Sequence, residues 1–403
     1  MSKIKSTQTN DEIIKLTTKY VAQTYGRFPI VLTKGKGTQV WDRSGNKYKD
    51  FVAGLAVDNL GHCHPEIVKA IREQAGKLLH VSNLYHIEPQ SLLAEELCKH
   101  SFADKFFFCN SGAEANEAAI KLARRASFDK GYKNRSEIIA MTNSFHGRTL
   151  GSMAATGQKK IHHGFSPLPS GFKHVAFNDA EAARKAVTSK TCAIIVEPIQ
   201  GEGGVNISDK NYLRDLKKIC VENDLLLIFD EVQTGFGRTG DLFAYKTFNV
   251  KPDVIVLAKA LGGGVPIGAI GASNKVMKHF VPGTHAATFG GNPLSCAAAL
   301  ASLKVLTSPG FLDNAKETGE YFKSSLEKLK TKFPVITNVR SRGMMIAATL
   351  SQPAAPIVMD CMEKGYLINC VQQNTLRFIP PLIITKKEID GLIKTLSQSL
   401  KKL

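Results

Sequence analysis

No run in this 403-residue chain approaches the ~20 consecutive apolar residues that a membrane-spanning helix needs. The first residues, MSKIKSTQTNDEIIKL, are polar and mixed in charge, without the apolar centre of an export signal. A soluble, cytoplasmic protein with no membrane contact is expected. There is no CxxC pair either. The eight cysteines (Cys63, Cys98, Cys109, Cys192, Cys220, Cys296, Cys361 and Cys370) stand apart, several inside apolar runs, so reduced thiols are expected and a disulfide framework is not. Acidic residues are scarce, 35 against 53 Lys and Arg, for a net charge of +18. That excess is spread along the chain, with no aromatic interleaving and no nucleic-acid motif, and reads as solvated surface rather than a nucleic-acid site. The run Gly262-Gly263-Gly264 lacks both the GxGxxG and the GxxxxGK[ST] frame, and KFFFCNSGAEAN supplies no GxGxxG after the first strand, which argues against the usual dinucleotide and P-loop readings. No internal repeat, low-complexity tract or Pro/Gly/Ser linker divides the chain.

What the sequence does have is alternation. Short β-branched or aromatic runs, KFFFCN, EIIAMTN, CAIIVEP, LLLIFDE and VIVLAK, are separated by amphipathic stretches such as EANEAAIKLARRASF and KNYLRDLKKICVEN, whose apolar residues recur three and four apart. The pattern predicts an α/β fold around a mostly parallel sheet. This length predicts two closely packed domains: a large one over 61–300 and a smaller α+β one drawn from both chain ends, 1–60 and 301–403. In the first flank, WDRSGNKYKDF predicts a hairpin turning at Ser-Gly-Asn.

Ligands of open parallel sheets collect beyond the carboxyl ends of the strands, and five runs deliver polar groups there. KFFFC is followed by Asn110-Ser111-Gly112-Ala113-Glu114, EIIAM by a loop with Phe145-His146-Gly147-Arg148, CAIIV by Glu197, LLLIF by Asp230-Glu231 and VIVLA by Lys259. Most have a plain structural reading. Ser111 and Glu114 suit a helix-capping box, Asp230-Glu231 suit a solvated loop, and His62-Cys63-His64-Pro65 suit a tight packed loop, because a metal would need a second ligand cluster. Lys259 fits such a reading poorly. An ammonium between VIVLA and Gly262-Gly263-Gly264 must reach water or be consumed chemically, and glycine there lets a ligand approach the backbone. An amine, a carboxylate, a helix N-terminus for a phosphate and an aromatic loop together suit pyridoxal 5′-phosphate. Lys259 would hold it as a Schiff base, the carboxylate would keep its pyridine nitrogen protonated, and Phe145 would stack on its ring.

NSGAEANEAAIKLAR, SFHGRT, VEPIQGEGGV, LLIFDEVQTGFGRTG, AKALGGGVPIGA and ATFGGNP, in this order and spacing, resemble the class III (ω-amino) aminotransferases of fold type I. The resemblance runs from about Val31 to TLRFIPPLII near the C-terminus. GLAVDNLGHCHPEIV and HVSNLYHIEPQ look more like members that act on N2-acetylornithine, in arginine biosynthesis, than like those that act on ornithine or 4-aminobutyrate. The resemblance implies a ping-pong transamination between N2-acetylornithine and 2-oxoglutarate, giving N-acetylglutamate 5-semialdehyde and glutamate. Ornithine, N-succinylornithine and 4-aminobutyrate remain the alternative donors. It further implies that Lys259 is the cofactor-bearing lysine and proton shuttle and that Asp230 partners the pyridine nitrogen. Gln233 would bond the phenolic oxygen, Gly112 and Ala113 would offer backbone N–H groups to the phosphate, and Thr288 would reach the phosphate of the neighbouring subunit in a homodimer with shared sites. Arg148 and Arg377 would bind substrate carboxylates, with Glu202 as Arg377's alternative partner. Three positions depart from the family pattern: Ala113 stands where many members have Thr, Ala287 where Ser or Thr helps hold acetylornithine, and Phe289 where Tyr is common.

Overall fold

Seven strands form the central sheet of the computed structural model, which describes residues 9–402; residues 1–8 of the N-terminal segment and Leu403 lie outside the described residues. In chain order they are β1 (Lys105–Cys109), β2 (Glu137–Met141), β3 (Phe172–Val175), β4 (Thr191–Val196), β5 (Leu226–Asp230), β6 (Val254–Leu257) and β7 (Gly268–Ala272), arranged β1-β7-β6-β5-β4-β2-β3. Pairing is parallel except at β7, which runs antiparallel to both β1 and β6. The alternation did not reveal this reversal. Its cause is length: the link Ala258–Ile267 falls short of the dozen or so residues that a parallel crossover needs.

Every residue of β4, β6 and β7 is buried, as expected of strands covered on both faces. Helix α1 (Gly112–Asp129) follows β1 directly and turns Ala115, Ala118, Ala119, Leu122, Ala123 and Ala126 inward, small side chains that bring its axis close to the sheet. The chain ends meet beside this layer. Strands Leu32–Lys36, Gln39–Asp42 and Lys47–Asp50 form a meander whose last member pairs with Tyr366–Leu367 from the far end of the sequence. Within it the hairpin turns where the sequence places it, Asp42 Oδ1 accepting the Asn46 N–H at 2.8 Å. A second, antiparallel sheet joins Ile336–Arg342, Met345–Leu350, Thr375–Phe378 and Asn369–Val371. Helix α2 (Pro293–Leu306) packs on the helices Pro65–Ala75 and Glu88–His100, and α3 (Phe311–Lys332) and α4 (Lys386–Leu400) complete the part formed by the chain ends. Among the described residues no single helix is long and apolar enough to cross a membrane.

Candidate active site

The polar groups at the strand ends line one cavity of about 410 Å³, which gathers Gly112, Ala113, Phe145, Arg148, Glu197, Glu202, Asp230, Gln233 and Lys259. Lys259 follows β6 with a left-handed φ of 49°, and its amine makes no hydrogen bond or ion pair among the described residues. Burial holds that amine below the usual lysine range, only partly opposed by the Glu202 carboxylate.

Asp230 ends β5 and is 3% exposed, so the solvated-loop reading of Asp230-Glu231 fails. Its Oδ2 accepts from Asn116 Nδ2 (2.8 Å) and His146 Nδ1 (2.7 Å), and its Oδ1 accepts from the Val232 N–H (3.0 Å). A carboxylate acceptor puts the His146 proton on Nδ1, leaving buried Nε2 without a partner among the described residues, as is Asn116 Oδ1. Neither Asn116 nor His146 was singled out from the sequence as Asp230's partner. Asn116 sits one helical turn beyond Gly112, and the sequence places His146 only within the aromatic loop.

Glu231 does not line the cavity. Its buried carboxylate accepts the N–H groups of Ala244 (2.5 Å) and Tyr245 (2.7 Å), closing the loop that carries Gln233. Burial pushes this carboxyl from 4.5 up to about 8, against the pull of those two donors. A raised folded-state value means that the folded chain binds the extra proton between pH 4.5 and 8, so this contribution to stability falls as pH rises through that window. With Glu231→Gln the loss should vanish: wild-type Tm should drop relative to the variant from pH 5 to pH 8, a window about as wide as the shift itself. A Tm difference that does not change with pH would refute the raised carboxyl.

At the start of α1, Ser111 Oγ accepts the Glu114 N–H at 3.1 Å, but Glu114 does not complete the expected box: its Oε2 takes the Asn110 N–H at 2.7 Å instead. The N–H groups of Gly112 and Ala113 take no partner among the described residues. Only glycine fits at 112, where a Cβ would lie 2.8 Å from Val232 Cγ1. The result is an open helix N-terminus facing the cavity, suited to a phosphate.

Opposite stands Phe145, its N–H held by Glu197 Oε2 at 3.0 Å, with the Arg148 guanidinium 5.7 Å from its ring centre. Burial, then the charge of Asp230, raise the Glu197 carboxyl well above the usual range. Arg377, on Thr375–Phe378 and 1% exposed, donates from Nη1 to Glu202 Oε1 at 2.6 Å. Burial alone would raise the Glu202 carboxyl, but Arg377 outweighs it and holds the group below its ordinary value. Gln233 stands between them, donating to Glu202 at 3.4 Å and accepting from Arg377 at 3.5 Å.

Val57, unforeseen in the sequence, reaches the cavity from a left-handed turn in which Ala53, Gly54, Leu55 and Ala56 all have φ between 49° and 65°. Such a turn costs about 1–2 kcal/mol per non-glycine residue. Asp50 fastens it, Oδ1 accepting the N–H groups of Val52 (2.8 Å) and Ala53 (3.0 Å) while Oδ2 faces His62 Nε2 at 2.7 Å. His62 is thereby engaged within the fold, and His64 caps the next helix. Thr288 and Ala287 are not brought to Lys259 within the chain; they line a separate cavity of about 360 Å³ with Asn110, Glu114 and His285.

The family model for class-III aminotransferases matches residues 20–400. The chain belongs to the class-III aminotransferases. Among relatives of this aminotransferase, the acetylornithine aminotransferase of Caldanaerobacter subterraneus subsp. tengcongensis is 53% identical over 95% of this chain and 97% of that one. Of solved structures, acetylornithine aminotransferase from Elizabethkingia anophelis superposes with a TM-score of 0.89 at 34% identity, covering 98% of this chain and all of that one. An ornithine aminotransferase from Toxoplasma gondii, described with partial occupancy of PLP at its active site, superposes with a TM-score of 0.94 at 34% identity, covering 98% and 94%. The fold is that of the fold type I enzymes, and pyridoxal 5′-phosphate is the aminotransferase's cofactor. The cavity fits it. Two free N–H groups, a buried amine without a partner, a carboxylate fixed by three donors and an aromatic ring surround one space.

Proposed function

We propose that this enzyme transfers the δ-amino group of N2-acetylornithine to 2-oxoglutarate, producing N-acetylglutamate 5-semialdehyde and glutamate in arginine biosynthesis. The observation that carries the reading is the Arg377–Glu202 pair beside Lys259. One pocket must accept two unlike amines. Glutamate brings a carboxylate next to its reacting carbon, where Arg377 would bind it. Acetylornithine brings only hydrogens and a methylene chain there, leaving a buried guanidinium that needs another anion, and Glu202 is that anion.

When bound, pyridoxal 5′-phosphate supplies the electron sink that makes the amine-bearing carbon acidic. Lys259 Nζ, kept neutral more readily by burial, takes the proton from that carbon. Asp230 would keep a proton at the ring nitrogen, Gly112 and Ala113 would bind the phosphate through their N–H groups, Gln233 would bond the phenolic oxygen and Phe145 would orient the ring. Arg148, exposed at the cavity's edge, binds the distal carboxylate of acetylornithine with its planar fork.

A panel of N2-acetylornithine, ornithine, N-succinylornithine and 4-aminobutyrate with 2-oxoglutarate tests the assignment. Acetylornithine should give the highest kcat/KM. A preference for free ornithine would establish the second reading, which the likeness to the Toxoplasma gondii ornithine aminotransferase favours.

Exchange of Arg377 between Glu202 and a substrate carboxylate makes its own prediction. Arg377→Ala should lower kcat/KM for glutamate and 2-oxoglutarate by roughly a hundredfold or more, the scale of a broken buried charge contact, and affect the acetylornithine half-reaction less. Glu202→Ala should favour the glutamate half relative to the other. Rapid-mixing spectra follow each half alone, and equal slowing of both halves by both substitutions would leave only a permanent structural pair.

The wider organisation belongs to the same reading. The sheet shared by the two chain ends supports a small domain of 1–60 and 301–403 around a large one of 61–300. Free cysteines, mostly buried, favour a reducing cytoplasm. A homodimer with shared sites accounts for Thr288, which lies away from its own chain's Lys259 cavity. Mixing inactive Lys259→Ala and Thr288→Ala subunits should then restore activity in hybrids, which hold one site with both defects and one with neither. Proven subunit exchange without recovery would rule the sharing out.

A further inference from the structure

Arg238 is fully buried, yet no carboxylate lies within ion-pair distance of it among the described residues. Its guanidinium donates only to neutral oxygens. Nη1 reaches the carbonyls of Met344 (3.0 Å) and Pro380 (2.7 Å), and Nη2 reaches Oδ1 of Asn59. The Arg238 carbonyl in turn accepts the Met344 N–H at 2.9 Å. Asn59 extends the junction, its Nδ2 donating to the Phe236 carbonyl at 2.8 Å and its carbonyl accepting the Leu382 N–H at 2.7 Å. Three segments distant in sequence therefore meet on one planar fork. Burial lowers the guanidinium to about 9, which leaves it charged at neutral pH.

An interior cation whose counter-charge, Asp50, lies beyond ion-pair distance is costly, and an apolar side chain of similar volume would fill the space without that cost. What the fork adds is geometry, because its N–H groups point in fixed directions that a flexible or apolar side chain does not reproduce. Two of the segments it joins carry a residue of the site a few positions away, Asn59 following Val57 and Pro380 following Arg377, and Arg238 itself follows Gln233; the Met344 segment carries none. The approach is close. At Gly343, with φ 56°, a Cβ would stand 2.7 Å from the Arg238 carbonyl oxygen, so the turn carrying Met344 comes nearer than other residues allow.

We infer that Arg238 is a positioning residue: it sets Arg377, and with it Val57, in register with Gln233 and Lys259. This inference rests on the carboxylate-binding role proposed above for Arg377. Arg238→Lys keeps the charge and loses the fork, while Asn59→Ala removes one acceptor and leaves the arginine. Arg238→Lys should raise KM for 2-oxoglutarate and glutamate roughly tenfold or more, with kcat and the acetylornithine KM changed by no more than about threefold, since sub-ångström misplacement acts on the carboxylate contact. Asn59→Ala should show the same signature at smaller size. Hydrogen–deuterium exchange on the holoenzyme supplies a readout independent of turnover: amides of Thr375–Phe378 and the 51–59 segment should exchange faster, with β4 to β6 unchanged. A fall in kcat with all KM values intact, or exchange raised throughout the chain, would overturn the proposal in favour of simple destabilisation. If wild-type enzyme fails to use 2-oxoglutarate, the functional reading falls by itself, and localised against uniform exchange still decides whether Arg238 orders the Arg377 strand.

Discussion

Lys259→Ala should lower kcat by roughly 10⁴-fold or more while the chain keeps its fold, because one substitution removes both the amine that anchors the cofactor and the base that moves the substrate proton. The fold should survive for a reason visible in the site. The Lys259 amine makes no hydrogen bond or ion pair among the described residues, and burial disfavours its charged form, so nothing that stabilises the folded chain leaves with it. Tm of the cofactor-free chain should stay level or rise slightly. Borohydride treatment followed by peptide mass spectrometry gives a second readout: the wild-type peptide containing Lys259 should gain the mass of the reduced cofactor, and the variant should show no labelled peptide at all. Multiple-turnover activity near wild type, or a label on another lysine, would remove Lys259 from the chemistry.

The site was legible where chemistry sits at the end of an apolar run. Lys259 and Asp230 stand out because β6 and β5 are so uniformly hydrophobic that the first charge after each demands an explanation. The helix N-terminus was legible for a similar reason, with Gly112 marking where a backbone must stay uncovered. What escaped lies in contacts between distant segments. His146 binds Asp230 across 84 positions, and neither residue's neighbours in sequence hint at the other. Asn116 is hidden differently, since helical periodicity places it on α1 without saying what lies opposite. Glu114 shows the limit of a local motif: the residue spacing suits a capping box, but the carboxylate finds Asn110 at 2.7 Å. The left-handed turn at Ala53–Ala56 has one glycine in four residues, so its composition gives little warning of a conformation that Asp50 enforces from outside. The Arg377–Glu202 pair, 175 positions apart, came only through family resemblance.

Asp230→Asn should cut turnover by roughly 10²–10³-fold, the scale of lost charge stabilisation in a dry site, with little change in KM. The substitution is close to isosteric but inverts half of the hydrogen bonding. Asp230 accepts at both oxygens, so an amide must turn its NH2 toward a donor, either the Val232 N–H or the pair formed by Asn116 and His146. The second orientation has a remedy. If His146 moves its proton to Nε2, which has no partner among the described residues, Nδ1 becomes an acceptor and the contact is restored. Shape therefore survives and charge does not, which lets the variant separate the two. The neighbourhood should also respond. Burial and then the Asp230 charge raise the Glu197 carboxyl, and loss of that charge makes Glu197 easier to ionise. An ionised Glu197 would restore part of the negative field, so the single variant understates what Asp230 contributes. Asp230→Asn combined with Glu197→Gln should then be slower in single turnover than Asp230→Asn alone by more than Glu197→Gln slows the wild type. Simple multiplication of the two effects would show that Glu197 stays neutral and that the field at the ring nitrogen belongs to Asp230 alone.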